Sequence, residues 1–176
     1  MLQYKTSIGT IMVRWSSEGA LTHVDWYGDQ EICAPTEAWG LTGPIADLVK
    51  KMDRYFSHGE PIGELPWDQI DTSSWSEFQR MVYRAITFIP HGETRTYGWV
   101  AARISKFAAT RAVGQALRKN PLPILVPCHR VVAAHDLGGF MGAIDPNQPE
   151  LQLKSRLIQL EDSYRSPMFD FLGAVG

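Results

Sequence analysis

The sequence predicts an α+β protein: a small sheet with one packed helix, followed by a helical half that contains a helix-turn-helix. Three observations predict it. Two short alternating runs open the chain, apolar stripes of helical spacing follow with start and stop signals, and two short helices separated by a turn occupy the middle. With 176 residues, 44% hydrophobic and 20% charged, the chain can bury a core and is too apolar for intrinsic disorder. Its two cysteines, Cys33 and Cys128, are too few for the disulfide framework of a small secreted protein or for a thiolate metal site, so a reducing compartment and no metal are expected. No apolar run approaches the roughly 18 residues of a membrane span, which predicts a soluble, unexported protein without a membrane partner.

Residues 10–15 alternate, with Ile11, Val13 and Trp15 on one face. Residues 20–26 form a second run after Ser16, Ser17, Glu18 and Gly19, whose turn chemistry predicts an antiparallel hairpin. Pro44 precedes the stripe Ile45, Leu48, Val49, Met52 and Tyr55, a helix that stops at His58 and Gly59. Residues 59–72, rich in Gly and Pro, read as a linker and divide the chain into residues 1–72 and 73–176. Ser74 and Glu77 have the spacing of a capping box before the stripe Phe78, Met81, Val82, Ala85 and Ile89, which Pro90 and Gly92 end. Helices over about 97–104 and about 108–119, the second halted by Asn120 and Pro121, make the helix-turn-helix. On the second of these, Ala109, Val113, Ala116 and Leu117 face inward, leaving Thr110, Arg111, Gly114 and Arg118 outward. That outer face is small as well as basic, which suits close approach to a groove.

The net charge of −2 hides a strong asymmetry. Between Thr94 and His135 there is no acidic residue, while Arg95, Arg103, Lys106, Arg111, Arg118, Lys119 and Arg130 give +7; the remainder carries −9. Because attraction between exposed charges is screened within about 8 Å at physiological salt, a local basic island can bind phosphates despite an acidic body. The competing reading of such a run is a solvated helical surface.

The apolar run 121–127 ends in Pro127, Cys128, His129 and Arg130. A lone cysteine in such a place is most often a small buried hydrophobe. A neighbouring base and cation point elsewhere: His129 and Arg130 favour the thiolate, the nucleophilic form, and are expected to draw the thiol from about 8.5 toward neutrality.

The motif Pro127-Cys128-His129-Arg130-Val131, preceded by Arg111-Ala112-Val113-Gly114, Asn120-Pro121 and Gly92-Glu93-Thr94-Arg95-Thr96-Tyr97, resembles the O6-alkylguanine-DNA alkyltransferase family. The resemblance is clear from Phe78 to Glu161. It implies a ribonuclease-H-like N-terminal domain and a winged-helix C-terminal domain that binds double-stranded DNA containing O6-alkylguanine. By the same resemblance Cys128 is the alkyl acceptor and His129 its base through a bridging water. Glu161, near the end of a helix carrying Leu153, Leu157 and Leu160, orients that base; Asn120 is the hinge between recognition helix and cysteine segment. Tyr97 donates to the guanine, and Arg111 fills the stack when the base is extruded. Thr110, Gly114, Arg118, Arg95 and Lys106 complete the DNA-binding set. Tyr97, Val131, Phe140 and Met141 form the substrate pocket, with a glycine-rich loop from Leu137 to Gly142. Three departures bear on that pocket: the segment Ile144 to Glu150 is longer than the family pattern, Thr110 stands where alanine is common, and Phe140 where tyrosine is frequent. The zinc site of some relatives has no counterpart, since Cys33 lacks a partner cysteine.

These residues imply direct, cofactor-free, single-turnover transfer of an alkyl group from DNA by a monomer, cytoplasmic and nucleoid-associated in a prokaryote or else nuclear. The alternative is a noncatalytic sensor that binds alkylated DNA and recruits other repair proteins; relatives of that kind lack the acceptor cysteine, and Cys128 is present. A cysteine hydrolase leaves the basic helix-turn-helix unused, and adjacent Cys128 and His129 on one strand disfavour direct imidazole contact. A plain winged-helix regulator leaves Cys128 unexplained.

Overall fold

The computed structural model describes residues 1–30 and 43–169; Cys33 lies outside them. Three antiparallel strands open the fold, β1 (Leu2–Thr6), β2 (Gly9–Trp15) and β3 (Leu21–Trp26), in that spatial order. The hairpin read from alternation is β2–β3. The strand before it, β1, pairs Leu2 with Val13 and was not anticipated, although Leu2 and Tyr4 alternate with Gln3 and Lys5 over its five residues. Gly9 makes the turn into β2 at φ 125°, where a Cβ would stand 2.5 Å from the Gly28 carbonyl oxygen. Only glycine tolerates both the conformation and the contact.

Helix α1 (Pro44–His58) starts with proline at its first turn and ends at Gly59, which is left-handed and donates its amide to the Tyr55 carbonyl. Leu48, Met52, Tyr55 and Phe56 are buried on its inner side. The stretch after Gly59 does not run free across the surface. Ile62 and Ile70 are buried, and Asp71 donates its amide to the Leu21 carbonyl at 2.9 Å, tying this segment to β3.

Helix α2 (Glu77–Thr87) begins two residues later than the Ser74 and Glu77 spacing suggests. Ser76 is the N-cap: its hydroxyl accepts from the Gln79 amide at 3.2 Å, and Gln79 Oε1 accepts from the Ser76 amide at 2.9 Å. Trp75 explains the offset, since it is buried edge-on against Tyr83 at 4.9 Å and must enter the core before the helix starts. The helix-turn-helix is present as α3 (Tyr97–Arg103) and α4 (Thr110–Arg118), within two residues of the expected bounds. Two strands of two residues each, β4 (Arg95–Thr96) and β5 (Val131–Val132), pair in parallel and bring the start of α3 beside the cysteine segment. Cys128, His129 and Arg130 form a single 3₁₀ turn and not the strand that was expected. Helix α5 (Pro149–Phe169) closes the fold.

One apolar cluster joins β2, β3, β5 and all five helices, from Ile8 in the β1–β2 turn to Leu157 in α5. Val24 of β3 donates its amide to the Pro121 carbonyl at 2.8 Å, so the sheet holds the chain where it leaves α4. At the other side, a Cβ on Gly59 would lie 2.8 Å from the Leu160 carbonyl, so the end of α1 meets α5 backbone to backbone. The sheet and α1 therefore brace the two segments that carry Asn120 and Glu161.

Candidate active site and nucleic-acid face

Pro127 directs the chain into the 3₁₀ turn, leaving Cys128 4% exposed and His129 fully buried. Asn120 organises the approach with one side chain. Its Nδ2 donates to the Val126 carbonyl at 2.8 Å and to Cys128 Sγ at 3.1 Å, while its Oδ1 accepts from the Leu122 amide at 3.1 Å. The end of α4 is thereby locked to the cysteine.

Behind Cys128 lies a buried carboxylate. Glu161 Oε1 accepts from His129 Nε2 at 2.7 Å and from Tyr55 Oη at 2.8 Å; Arg130 donates to Oε2 through Nε at 2.9 Å and to Oε1 through Nη2 at 3.0 Å. The Gly92 amide donates to Oε2 at 3.0 Å. Burial alone would push the Glu161 carboxyl up, but the hydrogen bond and charge of His129, followed by those of Arg130, hold it well below the usual carboxylate range. An ionised Glu161 requires Nε2 of His129 to carry a proton. Nδ1 is then a bare acceptor, buried without a hydrogen-bond partner among the described residues.

The expected depression of the Cys128 thiol is overturned. Burial pushes it up to about 11, with Asn120 first and Lys154 second pulling the other way. The reason is geometric: Arg130 turns away from the sulfur to Glu161, the Ile89 carbonyl and His91. Burial also lowers the proton affinity of His129, against the pull of Glu161. The resting pair is a neutral thiol beside a neutral imidazole.

Cys128 opens onto a cavity of about 200 Å³ that Tyr97, Gly114, Arg118, Phe140, Met141 and Ile144 help to line. Tyr97, Phe140 and Met141, three of the residues expected in a substrate pocket, are thus in the lining. Val131 is not: it is fully buried in β5 and absent from the lining. The glycine-rich loop folds back on itself through reciprocal backbone bonds between Phe140 and Ala143, of 3.0 and 2.8 Å, with Met141 at positive φ on its tip. Gly138 is left-handed, and a Cβ there would stand 2.8 Å from the Tyr97 ring. Tyr97 Oη donates to the Gly139 carbonyl at 3.1 Å. Lys154, fully buried, reaches the same loop and donates to the carbonyls of Val131, Leu137 and Gly139; burial lowers its proton affinity to about 8.

Thr110, Arg111, Arg118 and Lys106 are exposed and Gly114 is half-buried, which keeps the outer face of α4 small and basic. Two of the island's seven charges are spent elsewhere. Arg130 points into the core at Glu161, and Arg95 pairs with Glu93 at 2.6 Å while lying over the Trp99 ring. Sequence reasoning missed Tyr55, His91 and Lys154. A lysine inside the apolar stripe Leu153, Lys154, Leu157 was the one readable signal; Tyr55 looked like core, and only long-range packing brings it to Glu161. Among the described residues no cluster of three or more His, Cys, Asp or Glu could hold a metal ion, and no helix is long and apolar enough to cross a membrane.

A helix-turn-helix with an exposed basic face, set over a cavity floored by a hydrogen-bonded cysteine, defines a nucleic-acid-binding protein built around a sulfur nucleophile. Comparison with known proteins is specific. Residues 77–163 match the family of the 6-O-methylguanine DNA methyltransferase DNA-binding domain. A methylated-DNA–protein-cysteine methyltransferase of Methanosarcina acetivorans is 33% identical over 163 residues, 91% of this chain and 96% of that relative. One from Mycolicibacterium paratuberculosis is 44% identical over 114 residues, 64% of this chain and 66% of that relative. The crystal structure of Mycobacterium tuberculosis OGT in complex with DNA superposes with a TM-score of 0.68 at 29% identity, covering 92% of each chain. The chain belongs to the methylated-DNA–protein-cysteine methyltransferase family.

Proposed function

We propose that Cys128 Sγ accepts an alkyl group, methyl in the simplest case, from O6 of a guanine in duplex DNA, once per molecule. The protein is a methyltransferase of DNA repair, and DNA is its partner. The observation that carries the choice of acceptor is that one sulfur both faces the cavity and is bonded to Asn120, next to a histidine whose far nitrogen is held by a buried carboxylate. A sensor that only binds alkylated DNA has no use for that arrangement.

The thiol proton passes to His129 Nδ1, the bare acceptor, and a bridging water suits a buried polar site of this kind. Glu161 stabilises the imidazolium that results, and Asn120 Nδ2 stabilises the thiolate. The thiolate attacks the alkyl carbon; the S–C bond forms, the C–O6 bond breaks, and its electron pair stays on the purine. Tyr97 Oη, once it leaves the Gly139 carbonyl, donates a hydrogen bond to the purine anion, and the proton taken up by His129 returns through solvent to give neutral guanine and a neutral imidazole. Since O6 lies inside the duplex, the base must be extruded at a cost of a few kcal/mol. Arg111, exposed at the start of α4, fills the stack, while Thr110, Gly114 and Arg118 line the approach. The acting unit is a monomer, working wherever the cell keeps its DNA. Intact-protein mass spectrometry after mixing with an O6-methylguanine duplex should show one added methyl group on Cys128, and none in Cys128→Ser, which should still bind the duplex. Methylation elsewhere, or transfer by the serine variant, removes Cys128 as acceptor.

A further inference from the structure

Resting on the relay just described, we propose that Tyr55, supplied by α1 in the N-terminal half, is a positioning residue that sets the proton affinity of His129 by sharing the Glu161 oxygen to which His129 is bonded. Oε1 has two lone pairs and receives three donors, from Tyr55 at 2.8 Å, His129 at 2.7 Å and Arg130 at 3.0 Å. Tyr55 Oη also stands 3.5 Å from His129 Nε2, so the phenol and the imidazole crowd one acceptor. A buried phenol needs a partner in any case, and a purely structural account stops there. The chemistry of the base asks for more. A more negative carboxylate raises the proton affinity of the histidine bonded to it, and an imidazole that already holds its second proton cannot take one from the cysteine. Each further donor to Oε1 withdraws charge from it and keeps His129 neutral, hence competent.

The groups that act on this carboxylate and on His129 come from several elements. Tyr55 comes from α1; His91, whose Nδ1 lies 3.7 Å from Oε1, comes from the turn after α2; His129 and Arg130 come from the 3₁₀ turn, beside Cys128; Lys154, whose charge reaches His129, comes from α5. His91 accepts from Arg130 Nη2 at 3.3 Å, so it is neutral here and adds no proton to Oε1. Arg130 donates through a guanidinium, so its removal would take away a charge. Tyr55 is thus the neutral donor whose removal changes Oε1 without removing a charge. Its ring is fully buried against Phe56 and edge-on to His91, and Tyr55→Phe keeps both contacts.

The test measures the first-order alkylation rate on an O6-methylguanine duplex from about pH 5 to about pH 9, the range in which histidine titrates. In Tyr55→Phe the limb on which the rate rises with pH should move up by about one unit, so that below it the rate falls by up to about tenfold and above it recovers. Site-specific 3-fluorotyrosine at position 55, a stronger donor of nearly the same shape, should move the limb down, and it covers the case in which the phenylalanine variant folds poorly. NMR titration of the His129 imidazole reads the same two shifts without any reaction. A uniform loss of rate with an unmoved limb and an unmoved imidazole titration in both variants would overturn the proposal and leave Tyr55 a packing residue. Absence of methyl transfer by the parent protein would overturn the acceptor assignment instead, with the imidazole titration still deciding the role of Tyr55.

Discussion

At the scale of single residues, the proposed chemistry keeps a nucleophile silent until a base is in place. Burial that raises the Cys128 thiol to about 11 protects it from adventitious chemistry, but it also makes the protein dependent on His129. In His129→Ala the proton must leave to solvent, so the alkylation rate should climb about tenfold per pH unit up to the thiol's own range. The parent rate should level off once its imidazole is neutral. Rates across alkaline pH check this, and a plateau at neutral pH in the variant would show that another group removes the proton. Glu161→Gln is a poorer probe of the same relay. It strips the buried Arg130 of its counter-charge, which typically costs about 3–5 kcal/mol, and would confuse stability with chemistry.

At the scale of elements, the geometry depends on how the loop 137–142 and helix α4 are pinned. Gly138 permits Tyr97 to lie under the loop, and an added Cβ would meet the ring at 2.8 Å from a left-handed backbone. Gly138→Ala should therefore push Tyr97 out of the cavity wall and cost about 1 kcal/mol or more in stability, with transfer slowed beyond what the lost stability explains. Equal rates at equal folded fraction would detach Tyr97 from the reaction. Arg111 belongs to α4, and in the role proposed for it acts only where a base must be extruded. Arg111→Ala should slow transfer from duplex DNA far more than from the free base O6-methylguanine, measured side by side. Equal losses would place Arg111 in the pocket. Much at this scale was legible in the sequence, because α1, α3, α4 and the β2–β3 hairpin carry their periodicity and punctuation locally. The cap of α2 slipped by two residues because the burial of Trp75 is a tertiary event. Strands of two residues, such as β4 and β5, have no pattern to read. The donors that gather on Glu161 come from positions as far apart as Tyr55 and Arg130, and nothing in their spacing announces it.

At the scale of the whole molecule, the reaction has no return path. Its product on Cys128 is a thioether whose carbon has no leaving group at neutral pH, and neither His129 nor Glu161 supplies chemistry to reverse it. Titration with excess alkylated duplex should transfer one equivalent and stop; continued removal of methyl groups would defeat the single-turnover reading. The spent form should also be less stable, and the cause can be placed. Sγ sits 3.1 Å from Asn120 Nδ2, and the same amide group holds the Val126 carbonyl. A methyl group on that side displaces Asn120 and unties the end of α4 from the cysteine turn, and overpacking of this size typically costs about 1–3 kcal/mol. Because one apolar cluster joins the sheet, α4 and α5, the loss is felt by the whole fold. At about 2–4 °C per kcal/mol for a chain of this length, the melting temperature should fall by several degrees, and further with a larger alkyl group. An unchanged melting temperature would mean that the alkyl group is housed in the 200 Å³ cavity without moving Asn120, which would refute the strain and leave the single turnover standing.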